Sequence, residues 1–147
     1  MTTLKQLKYE TVVSLMTTDL NSLANNASVL SAAAGGDTTD ANLLGDFELV
    51  VTFGTNPTAG STVELYLLRA ADGTNYEDGS ASVAPNPGSR VGSFPVRAVT
   101  TAQRIVVRDV PLPPGLYKAL ILNDATGQAF AASGNTLKVR PHNLQNV

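Results

Sequence analysis

His142 is the only histidine in this chain and cysteine is absent, so the residues that most often supply nucleophilic or metal chemistry are nearly missing. A Ser-His-Asp arrangement would have to recruit His142, which lies among polar residues close to the last residue, and no G-x-S-x-G motif is present. His142 therefore reads as a surface or terminal-strand residue. A metal centre without thiolates and with one imidazole would depend on carboxylates. The one dense acidic stretch is Asp72-Gly73-Thr74-Asn75-Tyr76-Glu77-Asp78-Gly79. It lacks the D-x-D-x-D-G spacing and the distal glutamate of a calcium loop. Asp72-Gly73 and Asp78-Gly79 are turn dipeptides instead, with Tyr76 placed to anchor the loop. Paired carboxylates could in principle cut sugars. However, aromatics make up only 5% of the chain and tryptophan is absent, which disfavours a lectin or a glycosidase. No catalytic residue, cofactor or metal is expected, and the chain is not expected to be an enzyme.

The elements that would position these residues are strands. FELVVTF at 47–53 and TVELYLL at 62–68 alternate, with Val63, Leu65 and Leu67 on one side and Glu64 and Tyr66 on the other. RVGSFPVRAV at 90–99, QRIVVRDV at 103–110, GLYKALILND at 115–124 and TLKVRPHN at 136–143 carry the same signature. Further strands are expected over 9–15, 28–33 and 128–132. Gly, Pro and Asn punctuate the gaps, and Pro111, Pro113 and Pro114 end one strand before Gly115 rather than forming a polyproline ligand. Leu20 and Leu23, three apart after a Thr cap, predict a short helix over 18–25, with one long helix over 11–34 as the rival. The fold class is all-β: a jelly-roll-like antiparallel sandwich with a short N-terminal helix and arm. The expected organisation is an arm and short strand over 1–16 and a single sandwich domain over 17–147. The long 70–90 excursion predicts a connection that crosses between sheets.

At 147 residues the chain is long enough for one domain with a sizeable core. Charged residues are only 15%, well below the usual quarter, and Thr, Ser, Asn, Ala and Gly take their place. Such a surface holds few ions to desolvate against a partner. Net charge is −2, and the densest basic stretch, Arg97, Arg104 and Arg108, is broken by Val and Thr, which argues against direct nucleic-acid binding. No apolar run is long enough for a membrane helix, and MTTLKQLKYETVVSL lacks the form of a secretory signal.

From Asp46 onward the string FELVVTF, VELYLLRAADGTNYEDG and GSFPVRAVTTAQRIVVRDVPLPPGLYKALILNDATGQAFAASGNTLKVRPHN resembles small virion structural proteins of tailed bacteriophages. DGTNYEDG at 72–79, PPGLYK at 113–118 and GNTLKVRPHN at 134–143 carry it most strongly, and TTDLNSLANN at 17–26 resembles the family's opening helix. The resemblance implies a capsid decoration, or cement, protein. Such a protein would sit on the outer surface of the virion as a dimer or trimer and bridge major capsid subunits. The alternative is a tail-associated or receptor- or carbohydrate-binding β-sandwich protein of the virion. For the decoration reading, the expected capsid contacts are Leu4, Lys5, Leu7, Lys8 and Tyr9 in the arm, with Asn75 and Tyr76 in the excursion.

Overall fold

The computed structural model describes residues 5–32, 35–36 and 42–146. The described residues form nine strands in chain order: β1 (Lys5–Tyr9), β2 (Val13–Met16), β3 (Ser28–Leu30), β4 (Leu44–Val51), β5 (Thr62–Arg69), β6 (Arg90–Pro95), β7 (Gln103–Pro111), β8 (Tyr117–Leu122) and β9 (Thr136–Asn146). The first sheet runs β1-β9-β4-β7, with β2 also paired to β9, and the second runs β3-β8-β5-β6. Every pairing is antiparallel. The architecture is an all-β sandwich of two antiparallel sheets.

Period-2 alternation decides which residues meet between the sheets. In β4, Phe47, Leu49 and Val51 point inward and are fully buried; in β5, Val63, Leu65 and Leu67 do the same. Phe94, Tyr117, Ala119, Ile121, Leu137 and Val139 complete the layer. Phe53 and Phe130 close one end edge to face, with ring centroids 5.4 Å apart, and the segment expected as a strand over 128–132 supplies only the isolated bridge Phe53↔Phe130. The N-terminal segment joins the first sheet, Lys5–Tyr9 pairing with 142–146 and Val13–Met16 with 137–139.

Two expectations are corrected here. The short helix over 18–25 is absent; among the described residues the only helical piece is the 3-10 turn Pro87–Ser89. Residues 18–27 form successive tight turns, Asn21 N–H to Thr18 O at 3.0 Å and Leu23 N–H to Leu20 O at 3.3 Å, and the positive φ of Ser22 and Asn26 prevents a helix from propagating. Leu20 and Leu23 are still buried, as their spacing requires, but turns deliver them. The 70–90 excursion does not cross between sheets, because β5 and β6 are antiparallel neighbours in the same sheet. The excursion instead folds back over the outer side of that sheet. Leu68 and Leu120 point away from the main core yet are fully buried, and Gly79 lies against both.

The sheets approach closely at β6 and β7. A Cβ on Gly92 would lie 2.8 Å from Val107 Cγ1, so this seam needs glycine for space. Gly92→Ala should lower stability by about 1–3 kcal/mol through overpacking. Adding Val107→Ala should recover part of that loss, as read from urea-unfolding midpoints.

Burial pushes the Tyr117 phenol up from 10.0 to about 12. A raised folded pKa stabilises fully below the unfolded value near 10 and loses that contribution as pH rises through about 12. Alkaline absorbance titration should therefore show one tyrosine ionising near pH 12. Tyr117→Phe should remove that phase and flatten the loss of stability over the same range.

Candidate functional site

Strand β5 places Thr62, Glu64, Tyr66 and Leu68 on the outer face of the second sheet, opposite its core residues. The register then sets their neighbours: Glu64 lies across from Ser93 on β6 and Leu122 on β8, and Tyr66 lies across from Arg90 and Leu120. Glu64 is 5% exposed although it sits on an outward face. Its two oxygens are both engaged. Thr62 Oγ1 donates to Oε1 at 2.5 Å, and Arg90 Nε donates to Oε2 in an ion pair. The Arg90 side chain is half exposed, which leaves its outer guanidinium donors facing solvent.

Tyr66, half-buried beside this pair, has its phenol raised by burial first, then by the Glu64 charge; Arg90 opposes the shift and Asp124 adds to it. A ring, a guanidinium, a fixed carboxylate and the Thr62 and Ser93 hydroxyls thus share one stretch of sheet face. Such a set can hold a ligand that has both hydroxyl groups and apolar C–H faces. The ring stacks on the faces, while the guanidinium gives hydrogen bonds and the hydroxyls can accept them. Glu64, with both oxygens committed, acts as an anchor and is not free as an acid or nucleophile.

The excursion forms one wall of this face. Ser28 Oγ donates to Ser80 O at 2.7 Å, and a Cβ at Gly79 would meet Leu68 Cδ1 at 2.6 Å, so the roof is seated close against β5 and β8. Glu77 ties the roof's base, accepting from Ser89 Oγ at 3.0 Å and from Arg69 N–H at 3.3 Å. Asp72 turns its own loop: Oδ1 accepts the N–H groups of Thr74 and Asn75 at 2.8 and 2.7 Å, and Oδ2 accepts from Asn75 Nδ2 at 2.8 Å. These bonds lower its carboxyl to about 2. The loop is a turn, and its carboxylate already has partners.

The residues expected as capsid contacts fall in two separate places. Lys5, Leu7, Lys8 and Tyr9 lie in β1 of the first sheet, exposed, whereas Leu4 lies outside the described residues. Asn75 is bound to Asp72, and the Tyr76 ring lies 5.1 Å from Lys118 Nζ on β8 of the second sheet. The structure does not gather the two groups into one surface. Sequence reasoning placed Glu64 and Tyr66 on one side of β5 but missed them as a site. The available signal was a charged residue at the middle of an otherwise apolar strand; Arg90 could be found only from register.

No protein-family profile matches the chain, and no curated protein does. Among solved structures, the chain is similar to the CBM36-1 domain of a multidomain xylanase from the hindgut metagenome of Trinervitermes trinervoides. That match has a TM-score of 0.50 at 14% identity and covers 88% of this chain and 94% of that one. The fold is shared. A second match, the carbohydrate-binding module CBM36 in complex with calcium and xylotriose, has a TM-score of 0.42 at 10% identity and covers 100% of both chains. This likeness corrects the resemblance to tailed-phage decoration proteins, since the solved structure whose fold the chain shares is the CBM36-1 domain of a xylanase. The expected cement function, the major capsid protein as partner and the dimer or trimer built on it are withdrawn.

The Glu64–Arg90 pair should reveal itself by what each half does alone. Arg90→Ala leaves a nearly buried carboxylate without its main partner and should cost about 1–3 kcal/mol. Replacing both, Glu64→Leu with Arg90→Leu, should cost less than the single change, as measured by thermal melts of the three variants.

Proposed function

We propose that this chain is a non-catalytic carbohydrate-binding module, a jelly roll that seats a polysaccharide strand on the outer face of its second sheet. The orders β2-β9-β4-β7 and β3-β8-β5-β6, with consecutive strands mostly alternating between sheets, support the jelly-roll assignment. The observation that carries the function is the half-buried Tyr66 beside the fixed Glu64–Arg90 pair. A pyranose ring stacks its C–H face on an aromatic side chain, and its hydroxyls match the outer donors of the Arg90 guanidinium, which Glu64 holds in place. Because Glu64 is held before any ligand arrives, little rotamer freedom remains to be lost on binding. The roof over Leu68 and Leu120 bounds the face on one side.

The fold likeness is to a module of a xylanase, which makes a xylose polymer the first ligand to test. Affinity electrophoresis and calorimetry against xylan, cellulose and mannan should find binding to at least one of them. Tyr66→Ala should weaken it about tenfold or more while far-UV circular dichroism stays unchanged, and Tyr66→Phe should retain most of it. Tyr76→Ala, on the roof, should have little effect. Failure to bind any of the polymers, or binding that survives Tyr66→Ala, overturns the assignment.

A further inference from the structure

On the opposite sheet, three neighbouring strands each contribute one metal-type donor to a single spot: Asp46 from β4, Asp109 from β7 and His142 from β9. Their ligand atoms all lie within 4.8 Å of one another. His142 Nε2 is 3.0 Å from Asp109 Oδ1, and Asp46 Oδ1 accepts the Asp109 N–H at 2.9 Å. Asp109 has a positive φ of 53° at the irregularity where β7 slips against Gly45 and Phe47, and this bulge turns its carboxylate toward β9.

His142 is the buried member of this set. It belongs to the outward set of β9, paired with Tyr9 on one side and Leu44 on the other, yet its side chain is 0% exposed. Its Nδ1 is buried with no hydrogen-bond partner among the described residues. A buried imidazole with one nitrogen unsatisfied is costly to the fold, and its only polar contact among the described residues runs through Nε2 to Asp109. What it does provide is Nε2, held fixed and facing two carboxylates. The Tyr9 ring packs on it at 5.1 Å between centroids, and Arg140, opposite Asp46 in the register, lies with its guanidinium 4.5 Å from the Tyr9 centroid.

We propose that Asp46, Asp109 and His142 form a binding site for a divalent transition-metal ion of the zinc type. One imidazole nitrogen with two carboxylate oxygens suits such an ion better than calcium or magnesium, which favour all-oxygen sets of six or more ligands. A tetrahedral ion with bonds of about 2.0–2.1 Å spaces its ligands about 3.4 Å apart. The Asp109 side chain is exposed, and its rotation would bring the donors to that spacing. A fourth position stays open to water. The ion would tie β9, β4 and β7 together at the bulge, and the site is independent of the proposed carbohydrate face on the other sheet.

The test uses the whole chain, stripped with EDTA and titrated with Zn²⁺, Co²⁺, Ca²⁺ or Mg²⁺ in the absence of any glycan. Zn²⁺ should raise Tm by several degrees, as a ligand specific for the folded state does. Co²⁺ should develop the visible absorption of a low-coordinate nitrogen and oxygen site, and Ca²⁺ and Mg²⁺ at the same concentration should do neither. Asp109→Asn, at an exposed position that tolerates change, should weaken Zn²⁺ binding at least tenfold, and Asp46→Asn should do the same while keeping an acceptor for the Asp109 N–H. No Zn²⁺ response in the wild-type chain overturns the proposal. An unchanged response in both variants also overturns it, as does a shift produced by Ca²⁺ and not by Zn²⁺.

Discussion

The antiparallel register between β4 and β9, running from Leu44↔His142 to Val50↔Thr136, assigns a side to every residue on which the rest depends. It puts Phe47, Leu49, Leu137 and Val139 between the sheets and Asp46, Glu48, Lys138 and Arg140 outside. A slip of one residue in β4 would bury Asp46 and Glu48 and expose Phe47 and Leu49, so the pairing has a single acceptable solution. β1 and β2 both dock on β9, and β7 docks on β4, so the whole first sheet inherits this choice.

With the interior fixed, both outer faces carry polar groups held in place, and they achieve it differently. On the second sheet a nearly buried carboxylate is matched by an arginine and a threonine, and a loop shields the adjoining leucines. On the first sheet a bulge turns a carboxylate toward a covered histidine, and Arg104 reaches Glu48 further along at 2.5 Å. That surface pair is well exposed and contributes little to stability. The difference is one of desolvation: Glu64 without Arg90 would be costly, whereas Glu48 without Arg104 would simply hydrate.

Much of the sandwich was legible because a strand with one buried side shows it directly, as Val63, Leu65 and Leu67 do against Glu64 and Tyr66. Leu20 and Leu23 misled because a spacing of three satisfies a helix and a pair of turns alike; the backbone angle at Ser22 decides, and serine does not announce a positive φ. The 70–90 excursion misled because length alone does not say whether a loop crosses the sandwich or folds back on its own sheet. Its role rests on Gly79 against Leu68 and Leu120, a contact between distant positions. His142 was read from its polar sequence neighbours, whereas its burial comes from Tyr9, far away in the chain. The same applies to Arg90, which meets Glu64 only through register.

The pairing of β1 with the last part of β9 sets Lys5 directly across from Asn146. Residues opposite each other on antiparallel strands have Cα atoms about 4.5–5.5 Å apart, so the path of the chain enters and leaves the sandwich at nearly one point. A unit of this kind can be spliced into a surface loop of a host protein without prying the host apart. It can equally be closed into a ring by a short peptide and reopened at the 72–79 turn, giving a circularly permuted chain with the same two sheets.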